Sequence, residues 1–119
     1  MHGLFVHEAT LRFDADARTG APGAAITTAL CGSWEHPPPC PLAAHYTAVQ
    51  QDGSTVTLRT IFAADPLQEG EVRRRIDDAL AHGSQAGPDG TVSHWRFLES
   101  RAGELTTEER GHALRIAGS

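Results

Sequence analysis

The stretch from Ala44 to Ala63 constrains the fold more than any other part of the chain. Two runs of alternating character, 44 to 50 and 54 to 63, are joined at Gln51-Asp52-Gly53, and Asp-Gly between such runs is a strong hairpin signal. In the second run Val56, Leu58, Thr60 and Phe62 share one face and Thr57, Arg59 and Ile61 the other. This spacing predicts two antiparallel strands with one buried face.

The flanking segments add to this sheet. Residues 4 to 14 alternate, with Phe5, His7, Ala9, Leu11 and Phe13 opposite Val6, Glu8, Thr10 and Arg12, which predicts a strand. Asp14 to Gly23 reads as a loop. In 24 to 34, Ile26, Thr28, Leu30 and Trp34 fall on one side and Ala25, Thr27, Ala29, Cys31 and Ser33 on the other, which predicts a second strand with Cys31 on its less apolar face. Asp65-Pro66 supplies a cap and a proline in the first turn, and Val72, Ile76, Ala79 and Leu80 recur at helical spacing, so a helix is expected over 66 to 82, closed by Gly83. Arg73-Arg74-Arg75 reads as its solvated face, supported by Glu71-Arg75 and Arg73-Asp77 pairs at i, i+4. Residues 84 to 90 form a turn, 91 to 99 a strand whose Trp95 and Phe97 anchor the core, and Thr106 with Glu109 a capping box opening a final helix with Ala113, Ile116 and Ala117 on its apolar stripe.

The expected fold is one α+β domain over residues 1–119: a two-layer sandwich with a mostly antiparallel sheet of about five strands, in the order ββββαβα, and two helices on one face. The segment between 63 and 91 is long enough for a crossover, so the last strand can run parallel to the strand at 54 to 63. With 119 residues, 39% hydrophobic and 6% aromatic, the chain suits a single core built on Val, Ile, Leu and Ala.

Charge narrows the function. A net charge of -5 and a pI near 5.7 give no field for a phosphate backbone, so no nucleic-acid partner is expected. All ten basic residues are arginine, which excludes a lysine Schiff base. No apolar run approaches the ~18 residues of a membrane span, and no secretory signal opens the sequence. A cytoplasmic protein with reduced thiols is expected.

The reactive side chains gather in one stretch. Cys31, His36, Cys40 and His45 form a C-x4-H-x3-C-x4-H series, and thiolate with neutral imidazole is a donor set for tetrahedral zinc. Pro37-Pro38-Pro39 favours polyproline II, which would set His36 and Cys40 roughly 12 Å apart, so a shared metal requires a bend. A cis X-Pro bond provides one at about 0.5 to 1 kcal/mol. Cys40 and His45 are the easier pair, because Pro41 to Ala44 can make one helical turn. The first reading is thus a small zinc-binding domain with Cys31, His36, Cys40 and His45 as metal ligands.

Two other classes stand beside it. Val6, Thr10, Thr57 and Ile61 occupy the sheet face away from the aromatic residues, which suggests a module binding a small ligand or a second copy of itself there. An enzyme would use Glu35 as general base on a metal-bound water, or a Cys/His nucleophile pair. Four closed ligands would favour a structural metal and three a catalytic one. His7, set among apolar residues, reads as a strand histidine with backbone or carboxylate partners; meeting His94 across neighbouring strands is the variant that would add both to a cluster. His82 and His112 read as helix-end residues.

Overall fold

The computed structural model describes residues 3–31, 44–87 and 89–111. In order they form β1 (Gly3–Phe13), α1 (Ala21–Cys31), β2 (Ala44–Asp52), β3 (Thr55–Ala64), a 3-10 turn (Pro66–Gln68), α2 (Glu69–Ala81), β4 (Ser84–Ala86) and β5 (Val92–Gly103). A third helix begins at 107. The chain is a mixed α and β fold whose sheet is antiparallel throughout, with strand order β2-β3-β1-β5-β4.

The connectivity follows from that order. β1 and β2 run in the same direction on either side of β3, with α1 between them in sequence; β3 and β5 do the same on either side of β1, with α2 between. Two interlocked split β-α-β units result, the ferredoxin-like connectivity. β5 does run parallel to β3, but β1 stands between them.

The hairpin forms where its Asp-Gly signal lies. Asp52 pairs with Thr55, leaving Gly53 and Ser54 as the turn, and Gly53 has φ 63° while no non-glycine residue among the described residues has positive φ. Positive φ at the first central position alone is the pattern of a type II′ turn, which suits the strand twist.

The strand expected over 24 to 34 is instead the helix α1. Ile26 and Leu30 are spaced by four, which fits both a strand face and a helix face. Smaller residues decide between the two periods: Pro22, Ala25, Ile26 and Leu30 are buried, while Ala24 and Thr28 are exposed, a helical stripe. Alanine favours this state, and Pro22 sits in the first turn, where its missing N–H costs no intrahelical bond. The fifth strand is β4, three residues long, within the segment expected to be a turn.

One core joins the helices to one side of the sheet. Ala9, Leu11 and Phe13 of β1, Val56, Leu58 and Phe62 of β3, Trp95 of β5, Ala25, Ile26 and Leu30 of α1, and Val72, Ile76 and Leu80 of α2 form it. The alternations in β1 and β3 and the i, i+4, i+8 row of α2 are those expected from the sequence. Trp95 is 6% exposed and its indole N–H donates to the Leu80 carbonyl at 2.8 Å, so its polar edge is satisfied where its ring is buried. The main chain around it is also fixed: Trp95 N–H donates to Gly83 O, and a Cβ at Gly83, whose φ is 78°, would stand 3.0 Å from Trp95 O.

β5 outlasts its expected end because of a bulge. Thr10 pairs with Glu99 and Leu11 with Phe97, so Leu98 is the extra residue and is 44% exposed. The bulge inverts the inside-outside parity beyond it, and alternation read from one end cannot pass through it.

On the opposite sheet face, Val6 and Ile61 are covered by the chain itself. Val6 and Ile61, expected on an open face, are 1% and 2% exposed, and Leu4 and Leu105 pack against them. Thr10 and Thr57 border a depression of about 120 Å³ with Glu8, Glu99 and Arg101. The expected capping box holds: Glu109 N–H donates to Thr106 Oγ1 at 3.1 Å and Thr106 N–H to Glu109 Oε1 at 2.9 Å. Its glutamate also receives Arg59 from the sheet, Nε at 2.9 Å and Nη2 at 2.8 Å, and Arg59 reaches Glu8 of β1 as well.

Candidate functional site

α1 and the turn before it reach both edge strands of the sheet order. Thr27 Oγ1 is 3.0 Å from Nε2 of His45 on β2, and Thr19 Oγ1 donates to Gln51 Oε1 at 3.0 Å near the other end of that strand. On the other side, α1 faces β4 across a cleft of about 580 Å³. The cleft is a consequence of small residues: Gly20, Ala21 and Ala24 from the helix and its approach meet Ala86 and Gly87, none of which fills the space between two backbones.

The polar groups of the cleft are largely engaged within the protein. Arg18 Nη2 donates to Asp89 Oδ2 at 2.6 Å and Arg18 N–H to Ser93 Oγ at 3.0 Å. The Thr91 main-chain N–H, and then Arg18, hold the Asp89 carboxyl below its usual range, so that pair stays ionised at neutral pH. Thr28 Oγ1 donates to Ala24 O, and Thr27 faces His45. Gln85 spends one amide N–H on a long contact, 3.4 Å, to Ala86 O. Its carboxamide is therefore the lining group best able to meet an incoming molecule.

The residues singled out as zinc ligands are divided by the described boundary. Cys31 is the last residue of α1 and His45 the second of β2, while Glu35, His36 and Cys40 lie outside the described residues. The Thr27–His45 contact brings the start of β2 to the turn of α1 that precedes Cys31, since Thr27 and Cys31 are spaced i, i+4. Among the described residues, no three His, Cys, Asp or Glu side chains converge as metal ligands. His112 also lies outside the described residues.

The carboxylate partner expected for His7 is Asp77, within a polar cluster whose arginine, Arg73, sequence reasoning missed. The ring is 4% exposed; Nε2 stands 2.7 Å from Asp77 Oδ1 and Nδ1 accepts from Arg73 Nη1 at 3.1 Å. Arginine has no acceptor, so Nδ1 must be the unprotonated nitrogen and Nε2–H the donor to Asp77. Arg73 also donates to Val6 O at 2.7 Å and to Glu69 at 2.8 Å, and its guanidinium lies 5.4 Å from the centre of the Phe62 ring. Two expectations are corrected here. Arg73 pairs with Glu69 rather than Asp77, and its side chain is 17% exposed, so it is not part of a solvated arginine face. The signal was the Glu69-Arg73 spacing beside a histidine on an apolar strand. Arg75 does pair with Glu71, at 2.9 Å.

His7 and His94 do not meet. His7 is registered with Ala102, whereas His94 faces Ser84 on β4, past the end of β1 where Phe13 meets Trp95. With both ring nitrogens of His7 bound by Asp77 and Arg73 of the helix, this cluster holds α2 to β1.

No protein-family model, no curated protein and no solved structure matches the chain.

Proposed function

We propose that the chain is an α+β module that binds a small organic ligand in the cleft between α1 and β4. One observation carries this reading, the volume of about 580 Å³, which falls within the range of roughly 300 to 1,000 Å³ found for small-molecule sites. The sequence pointed to the sheet face; the cleft is the better candidate because Val6 and Ile61 of that face are covered by Leu4 and Leu105. The lining favours a mainly apolar ligand with one or two polar groups directed at Gln85, because Arg18, Thr27, Thr28 and Ser93 already have partners. The reading takes α1 and α2 as one layer of a two-layer sandwich over the sheet, and a cytoplasmic setting.

The test is a ligand-observed screen of uncharged fragments against the chain, followed by amide shift mapping. Saturable shifts on 20–28 and 85–87, abolished by Ala24→Phe with an unchanged fold, support the site. Shifts scattered elsewhere, or none, reject it.

Zinc is the second reading, favoured by the Thr27–His45 contact that draws the two ends of the Cys/His stretch together. Cys40 and His45 would hold the ion, with Cys31 and His36 as further ligands; with three ligands, a bound water and Glu35 would make a hydrolytic site. A Cys/His nucleophile pair is the metal-free enzyme variant. Metal analysis of protein purified without added zinc separates these. Stoichiometric zinc lost in both Cys40→Ser and His45→Ala supports a site, and absence of zinc after reconstitution rejects both metal readings. Rapid, selective alkylation of one cysteine near neutral pH would then favour the nucleophile.

A further inference from the structure

The β4 side of the cleft carries a cross-strand pair. Gly83 O accepts from Trp95 N–H and Thr91 O from Gly87 N–H, and Gln85 is registered with Ser93 between these two bonded positions. Bonded pairs recur at every second residue of an antiparallel ladder, so Gln85 and Ser93 form one as well. Their Cα atoms then stand about 5.5 Å apart with both side chains on the same face. Both residues line the cleft.

Each member of the pair keeps hydrogen-bonding capacity that the protein does not use. Ser93 is 2% exposed and its Oγ accepts from Arg18 N–H at 3.0 Å, but its own proton has no acceptor among the described residues. A buried hydroxyl ordinarily donates as well as accepts, so Ser93 holds a donor in reserve. The Gln85 group that approaches Ala86 O at 3.4 Å must be the NH2, because a carbonyl only accepts. That nitrogen retains a second N–H, and Gln85 Oε1 has no donor among the described residues. Two donors and one acceptor thus stand together on one pair.

We infer that the cleft takes a flat, uncharged carboxamide or cyclic amide, its C=O received by Ser93 Oγ–H and Gln85 Nε2–H and its N–H by Gln85 Oε1. The inference rests on the cleft being the ligand site. A carbonyl has two lone pairs for the two donors, and the amide N–H meets the one acceptor, so every group in reserve is satisfied. A carboxylate would bring only acceptors to Gln85 Oε1, and it would have to draw Arg18, the ionised residue among the described lining, away from Asp89 at 2.6 Å. An amidinium would bring only donors to Ser93 Oγ–H and Gln85 N–H. The shape agrees with this chemistry, because Gly20, Ala21 and Ala24 face Ala86 and Gly87 and a flat ring can enter between them without displacing a long side chain.

The experiment titrates benzamide, benzoate, benzamidine and toluene into the full chain with amide shift mapping; these probes share a ring and differ in the group it carries. Benzamide should give saturable shifts at Gln85 and Ser93 as well as over 20–28. It should bind at least about tenfold more tightly than each of the others, the usual scale for one mismatched buried polar group. Gln85→Glu exchanges the amide NH2 for an acceptor and should invert the order, placing benzamidine above benzamide. Any of the other three probes binding in the cleft as tightly as benzamide overturns the inference and leaves the cleft reading in place. The absence of saturable shifts at 20–28 and 85–87 with all four removes both. Benzamide keeping its advantage in Gln85→Glu also overturns the inference, and the comparison on the native chain stands even if that variant does not fold.

Discussion

His7 and Asp77 meet at 2.7 Å between the central strand and α2, the imidazole 4% exposed and the carboxylate at 38%. Because Arg73 approaches the other ring nitrogen, the histidine separates a cation from an anion and satisfies both. His7→Ala leaves Arg73 and Asp77 without this partner and opens a void opposite Thr60 on β3, a loss of roughly 2 to 4 kcal/mol. Asp77→Ala, at the more exposed end, should cost only about 1 kcal/mol. Urea unfolding of both variants checks the order; equal losses would mean that the buried ring adds nothing beyond its bond to Asp77. Nitrogen NMR of the imidazole should show the Nε2–H tautomer.

Two glycines on the same helix-and-turn unit should respond in opposite directions. Gly83 combines φ 78° with a would-be Cβ 3.0 Å from Trp95 O, so Gly83→Ala is expected to destabilise by roughly 1 to 2 kcal/mol or more. Gly70 lies within α2, and a Cβ there meets nothing within 4 Å. Gly70→Ala should stabilise by about 0.5 to 1 kcal/mol. Thermal unfolding of the pair reads both signs in one experiment.

Glu109 gives the chain an acid-sensitive strap. Its hydrogen bonds from Arg59, with help from the Thr106 N–H, hold its carboxyl at about 2 against an ordinary 4.5. A folded pKa below the unfolded one contributes stability that is fully present above pH 4.5 and fades as pH falls toward 2. With a side chain 19% exposed, the contribution is on the order of 1 to 3 kcal/mol. Glu109→Gln should therefore be less stable than the native chain at pH 7, and the gap should close as the pH approaches 2. A gap that stays constant through that window would remove the assignment. Thr106→Ala, which loses the reciprocal cap, should cost about 1 kcal/mol at either pH.

What the sequence made legible divides along physical lines. The hairpin, β1, the body of α2, Trp95 as an anchor and the Thr106-Glu109 box each rest on local rules whose residues are neighbours in sequence, and each is present. α1 was misread because Ile26 and Leu30 serve either period, and the residues that decide it, Pro22 and Ala25, carry little apolar weight. β4 is too short to show a period, and the bulge at Leu98 cuts the alternation that would have extended β5 to Gly103. The cleft was invisible for a related reason: it is made by small side chains from segments distant in sequence, and nothing in Gly20, Ala24 or Gly87 separately announces a cavity. Of the Cys/His series, only Cys31 and His45 fall within the described residues, and the contact of His45 with Thr27, four residues before Cys31, depends on α1 being a helix.

The central place of β1 also shapes how the chain folds. Its partner on one side is β3, but its partner on the other is β5, so that Phe13 waits for Trp95 and Val6 for Gly103. Contacts this distant in sequence are slow to form, because loop closure must precede the reward of pairing. The β2-β3 hairpin and α2 can organise locally, whereas the strand at the middle of the sheet is the first one in sequence and the last to be enclosed. Until β5 docks, β1 presents an unpaired edge with Ala9, Leu11 and Phe13 along it, and that interval is when the chain is most exposed to aggregation. Variants that slow β5, such as a proline at Phe97, should lower the yield of refolded protein more steeply at high concentration than variants that weaken α1.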